Sequence, residues 1–386
     1  MSADFDLLIH AGRIVCPASR LDTTGAIAIR GDRIAAVVAD ATVTARRVLH
    51  FPDDVLLPGL IDLHAHPCRA GSQFGVDPDS QLLARGTTTA LSQGDAGAAN
   101  VDAFVRDTIE SSQMHVVLAI NLSSLGEQGP GGCFELPHSI DVAACVAAVE
   151  RNRPQVWGIA VNASHHACGR TDPREVLRQG LAAAEQTGLP ILYGMRRTED
   201  WPLDEQLRCL RPGDVVTYCF RSRPHCLMNG GHVRPEFREA RERGILFDIG
   251  HGRSSFHFET AAAAIQDEFL PDTVSTDVQR GHIGYQPIHD LPLVMSKLSA
   301  AGMSERDIFA AVTTRPANVL RRSEQFGTLK TGSLADLTLL NWTDSTEPLA
   351  DTDGNTRSGG RWHIAATIRA GQLIEPLELA SVTAGS

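Results

Sequence analysis

Through the middle of this chain eight short apolar runs alternate with helical segments, and that alternation leaves few folds open. The runs are GLIDLHAH (59–66), TTTALSQ (87–93), HVVLAINL (115–122), QVWGIAV (155–161), LPILYGM (189–195), DVVTYCF (214–220), ILFDIGH (245–251) and DTVSTDV (272–278). Segments such as DVAACVAAVERN, PREVLRQGLAAAEQTG, PEFREARERG and FETAAAAIQDEF lie between them with helical spacing. A strand covered on both faces by crossover helices is apolar at almost every position, which is how these runs read. Eight strand–helix units closing on themselves predict an α/β fold, a (β/α)8 TIM barrel over residues 58–324.

The two ends read differently. DLLIHAGRIV, GAIAIRGDRIAAVVA and VLHFPDDVLL near the start, and SLADLTLLNW and RWHIAATIRAGQLI near the end, are strands separated by turn residues. Gly31-Asp32 falls where a tight hairpin turn is needed. A barrel takes about 250 residues, so the 386 residues here leave room for one more module. The expectation is a small β-sandwich domain built from 1–57 plus 325–386.

The chemistry-bearing feature is Pro58-Gly59-Leu60-Ile61-Asp62-Leu63-His64-Ala65-His66-Pro67. Alternate side chains on a strand share a face, so His64 and His66 point together. At the C-terminal end of a barrel strand that face looks into the mouth, where active sites form. Paired imidazoles pack poorly in a core but suit Zn2+, Mn2+ or Fe2+. A net charge of −11 argues against a nucleic-acid binder and against docking on an anionic membrane. No apolar stretch reaches the ~18 residues of a membrane span. The first residues lack a secretory pattern, and eight cysteines are scattered without a CxxC pair, so a cytoplasmic protein with reduced thiols is expected. A homo-oligomer is expected only from general habit.

PGLIDLHAHP resembles the first-strand signature of the amidohydrolase superfamily, and TTRPANVLRRSEQFGTLKTGSLADLTLL resembles its last helix and return into the β domain. RPGDVVTYCF, EARERGILFDIGHGRSSFHFE and FLPDTVSTDVQRG are most similar to the dihydroorotase-like deacetylase branch. The resemblance implies that Asp277, at the end of the eighth strand, is a metal ligand with His64 and His66 and the general base. Relatives usually hold two metals, with a carboxylated lysine on strand four and histidines on strands five and six. Here Ala160, Gly194 and Tyr218 stand at those positions. The implied site is therefore mononuclear, holding one divalent ion, Zn2+ in first place with Mn2+ or Fe2+ as alternatives. Three protein ligands leave a position for water or substrate.

Around the mouth, His251 is read as a catalytic or ligating side chain and Tyr218 as a donor to a developing oxyanion. Arginines follow five strands: Arg69, Arg196 and Arg197, Arg221 and Arg223, Arg253, and Arg280. They point to a small anionic, carboxylated substrate, with Arg253, Arg280 and Asn162 as its binding residues. Asp95 and Gln93 are read as packing groups before outer partners of the site, His165 and His166 as solvated, and GEQGPGGC (126–133) as a flexible lid. His225, Cys226 and His232 make a loose loop cluster, and His282 and His289 suit either substrate contact or solvent.

Three functions stay open. The first is hydrolysis of a C–N or C–O bond in a cyclic amide, N-acyl compound or ester. The second is isomerase or lyase chemistry on an organic acid, since uronate isomerase, in the same superfamily, is similar in using one metal. The third is a non-catalytic descendant.

Overall fold

The computed structural model describes residues 4–38, 43–222 and 227–374. Arg223, His225 and Cys226 lie outside them. Strands from both ends of the chain share one seven-stranded sheet, in the order Gln372–Ile374, Arg361–Arg369, Leu337–Thr343, Ala45–Pro58, Phe5–Cys16, Leu21–Arg30 and Arg33–Val38. Phe5–Cys16 and Ala45–Pro58 run parallel, and the other neighbours pair antiparallel. Leu7 and Ile9 pair with Ile29 and Ile27 in one apolar cluster, while Leu8 packs with Ala26 and Ala28 in another. Both faces are covered there, which is why LLI and AIAI run apolar without a break. The hairpin between Arg30 and Arg33 turns at Gly31, whose φ of 59° lies in the left-handed region that favours glycine.

The second sheet is parallel and strictly sequential: Leu60–Ala65, Thr87–Gln93, His115–Asn121, Val156–Asn162, Ile191–Gly194, Val215–Thr217 and Leu246–Phe247. Helices cover it, and local sequence sets their limits. In Pro173–Thr187, Asp172 caps the Arg174 N–H, Pro173 occupies the first turn, and Gly188 ends the helix at φ 66°. Its Val176 and Leu177 join strand residues Ile159 and Val161 in the main core cluster. The fold is α/β and TIM-barrel-like.

The eighth expected strand is not a regular strand. Residues 272–278 make a single parallel bridge, Asp248 to Thr273. They nevertheless join the two edges of the sheet. Ile249 and His251 N–H groups donate to Thr273 and Ser275 carbonyls on one side. On the other, Asp277 N–H donates to His64 O at 2.6 Å and His66 N–H to Val278 O at 3.0 Å. The pleat fails because Asp277 has φ 51°, outside the β region. The segment trades ladder hydrogen bonds for the placement of one carboxylate.

Candidate active site

The closing segment sets Asp277 against the end of the first barrel strand. Its Oδ1 lies 3.5 Å from His64 Nε2 and 3.3 Å from His66 Nε2. Among the described residues these three side chains form the one group of three or more histidine, cysteine or acidic residues able to converge on an ion, with ligand atoms within 4.8 Å of one another. All three residues are buried.

The hydrogen-bond network decides where the ring protons sit. The Thr217 hydroxyl donates to Asp248 Oδ2 at 2.9 Å, so its oxygen accepts from His64 Nδ1–H at 2.8 Å. Asp248 also accepts from Thr273 and Ser275 hydroxyls at 2.7 and 2.6 Å. Asp95 accepts from His66 Nδ1–H at 2.9 Å and from the hydroxyls of Ser72 and Ser92, each at 2.6 Å. With both Nδ1 atoms protonated, both Nε2 lone pairs face Asp277.

Three acceptors pointed at one another in a buried space demand something positive between them. Asp277 Oδ1 is buried and has no hydrogen-bond partner among the described residues. Burial opposes charge on His66, yet the carboxylates of Asp95 and Asp277 overcome it and hold its pKa well above the ordinary value. On His64 burial prevails and the pKa falls. The potential that favours a proton on His66 favours a divalent cation in its place, and two imidazoles with a carboxylate are a fitting donor set.

Two glycines make the approach geometrically feasible. A Cβ on Gly250 would sit 2.2 Å from Thr217 Oγ1 and 3.2 Å from His64 Nδ1, and one on Gly252 would sit 2.5 Å from Asp277 Oδ2. Tyr218, at φ 66°, turns the chain after the sixth strand and places its hydroxyl 3.4 Å from His64 Nε2. Burial, reinforced by the Asp277 charge, raises its pKa well above the usual phenol value, so it stays a donor.

At the positions where the sequence resemblance led to the expectation of a second metal's ligands, other surroundings are found. Ala160 is buried in an apolar cluster with Leu63 and Leu192. A Cβ on Gly194 would lie 2.8 Å from Asn162 Oδ1 and in van der Waals contact, 3.4 Å, with the Tyr218 ring, so a larger side chain there would require Asn162 to move. Asn162 thus borders the site, with its Oδ1 accepting from Ser164 N–H at 3.0 Å.

His251 is buried, its Nε2 accepts from Lys297 Nζ at 2.9 Å, and its Nδ1–H donates to the Gly252 carbonyl at 2.8 Å. Both nitrogens are spent, leaving none for a metal or substrate. Lys297, whose pKa burial brings down to about 8, comes from helix Leu291–Ala300. His289 stacks on His282, packs tilted against His251 and donates from Nε2 to the Thr276 carbonyl at 2.9 Å. Burial lowers the pKa of His289 to about 3 and of His282 to about 4, so both rings are neutral. The solvated alternative for these two residues is replaced by a packed histidine stack.

The arginines divide. Arg69 is committed to Asp77 and Asp79, and Arg196 and Arg197 share Asp200. Arg253, beside Gly281, and Arg280 are both exposed, and neither has an ion-pair partner among the described residues. His165 and His166 are exposed, and exposed His232 contacts Asp267.

Sequence reasoning undervalued Asp95 and passed over Thr217, Asp248 and Glu127. An acidic residue inside an apolar strand, as in ILFDIG, was a usable signal, because a buried charge must be paid for by partners. Glu127, in the segment read as a lid, is buried, and burial raises its pKa to about 7. Asp95→Asn is expected to weaken metal affinity about 10- to 100-fold by removing the partner that orients His66. Chelator competition would measure it, and an unchanged affinity would contradict that role.

A family model for the amidohydrolase family matches residues 238–373. The chain is 32% identical over 304 residues to a deacetylase of Brucella anthropi, covering 77% of this chain and 74% of that protein. It is 28% identical over 361 residues to a deacetylase of Enterococcus faecalis, covering 92% and 94%. Among solved structures, a dihydroorotase superposes with a TM-score of 0.85 at 28% identity, covering 95% of this chain and 97% of that one. An adenine deaminase gives 0.87 at 26% identity, covering 96% and 100%.

Proposed function

The chain belongs to the amidohydrolase family, and from that premise we propose a mononuclear hydrolase that cleaves an acyl C–N or C–O bond in a small carboxylated substrate. The observation carrying this reading is the buried, unpartnered Asp277 Oδ1 facing two imidazole lone pairs. His64, His66 and Asp277 would hold one divalent cation, Zn2+ in first place and Mn2+ or Fe2+ as alternatives. When bound, such an ion supplies Lewis acidity and lowers the pKa of water to about 7.

The protein's own groups do the rest. Asp277 accepts the proton of the attacking water and returns it to the leaving nitrogen or oxygen. Tyr218 donates its phenol to the carbonyl oxygen as charge develops there. His251 acts as a positioning residue: tied to Lys297 and to the Gly252 carbonyl, it braces the turn that lies against Asp277. Arg253 and Arg280 add positive potential at the mouth, and Asn162 borders the substrate space. The occupied surroundings of Ala160 and Gly194 support one ion over two. We also read the sheet drawn from both chain ends as a small β domain of its own, since one apolar cluster is confined to it and its return loop.

The deacetylase relatives direct the test. Metal-loaded enzyme is screened with N-acyl amino acids, O-acyl hydroxy acids and cyclic amides in a weakly buffered pH indicator. Acid release from one of these classes, lost in Asp277→Asn, is the expected result. Turnover of organic acids without hydrolytic products would replace hydrolase by isomerase or lyase.

A further inference from the structure

The turn after the sixth strand places one arginine unlike the others. Arg221 N–H donates to Tyr218 O at 3.2 Å, closing the reversal that begins at φ 66° on Tyr218. The side chain therefore folds back over the same residue, with Cζ 4.6 Å from the centroid of the Tyr218 ring. Its Nε and Nη2 both donate to Ser255 Oγ, at 3.1 and 2.7 Å. Ser255 is itself buried, and its N–H donates to His251 O at 3.1 Å. The guanidinium is thus held on one face by an aromatic ring and on one edge by a fixed hydroxyl.

What it lacks among the described residues is a counter-charge. Among the described residues no carboxylate lies within ion-pair distance of Arg221, whereas Arg69, Arg196 and Arg197 each have an ion-pair partner. Burial works against its charge, with the adjoining Tyr218 ring and the more distant Asp277 opposing that effect. A half-buried cation without a partner is electrostatically costly, and an anion would relieve the cost. The edge formed by Nη1 and the second Nη2 hydrogen presents parallel N–H groups, the pattern that fits a carboxylate. Meanwhile the other end of the Tyr218 ring touches the metal-ligand set: ring centroids of Tyr218 and His64 are 5.1 Å apart.

We propose that Arg221 is the specificity-determining residue, binding the substrate carboxylate beside the Tyr218 ring so that the scissile acyl group of the same small molecule lies against the Tyr218 hydroxyl and Asp277. This rests on the hydrolase reading above. The substrate class it selects is a compact N-acyl or O-acyl acid whose carboxylate stands only a few bonds from the scissile carbonyl. Arg253, exposed and unbraced, contributes field rather than this contact.

The test compares each acyl acid with its uncharged primary amide on metal-loaded enzyme, in wild type, Arg221→Met and Arg221→Lys. Wild type is expected to favour the acid by about 10²-fold in kcat/KM, the scale of one charged hydrogen-bonded contact. In Arg221→Met that ratio falls to about one, with KM carrying most of the change, and Arg221→Lys recovers part of it. A structural role alone would lower acid and amide together and leave the ratio in place, which overturns the proposal. Should Arg221→Met fail to fold, Ser255→Ala, which unfastens the guanidinium, must lower the ratio, and an unchanged ratio counts against the proposal. If wild type hydrolyses neither compound, the hydrolase reading falls. Arg221 is then judged by calorimetric titration with the same acids: binding lost in Arg221→Met supports it, while equal binding, or none to wild type, refutes it.

Discussion

Asp277→Asn is expected to lower kcat by about 10³-fold or more, the upper part of the range for removing a positioned acid–base group. Asparagine preserves the shape but accepts no proton from water. It also changes the electrostatics of the cluster. An amide N–H turned toward His64 Nε2 or His66 Nε2, now 3.5 and 3.3 Å from Asp277 Oδ1, would satisfy those lone pairs without any cation. Metal affinity should therefore fall along with turnover. Single-turnover kinetics on variant protein, with metal content determined on the same sample, separates the two losses. A variant that keeps its ion and turns over within tenfold of wild type would remove Asp277 from the proton-transfer role.

The second large effect concerns the ion itself. Protein purified without chelator should carry about one divalent metal per chain, and His64→Asn or His66→Asn should carry almost none. Loss of the ion removes several kcal/mol of transition-state stabilisation, or about 10³-fold in rate. Added Zn2+ should raise the thermal stability of wild type, by about 2.7 kcal/mol at a hundredfold excess over Kd, and leave the variants unmoved. Two ions per chain by elemental analysis would mean that residues other than those at positions 160, 194 and 218 complete a second site.

Much of this architecture was legible before any coordinates. The apolar runs located the seven parallel strands, because strands covered on both sides cannot alternate polar and apolar residues. His64 and His66 were legible because a strand has a period of two. Asp277 was legible only through resemblance, and its backbone was misread. DTVSTDV has the composition of a strand, and nothing in it announces a φ of 51° at the residue that matters. The partner of His251 was illegible for a different reason: its Nε2 meets Lys297, 46 residues further along, on a helix whose packing no local pattern encodes. Asp95 was undervalued because its worth lies in a 2.9 Å contact with a ring on another strand.

By itself, then, the amino-acid order determined which segments become strands and helices, since periodicity, caps and turn residues act over a few positions. It also determined that two imidazoles face the same way. Only the packed chain decided which acceptor each ring nitrogen meets, which arginines lack a carboxylate among the described residues, and which side chains occupy the space beside Gly194. Hydrogen bonds and desolvation depend on distances of a few tenths of an ångström between residues far apart in the sequence. Those distances exist only once the strand ends have been brought together.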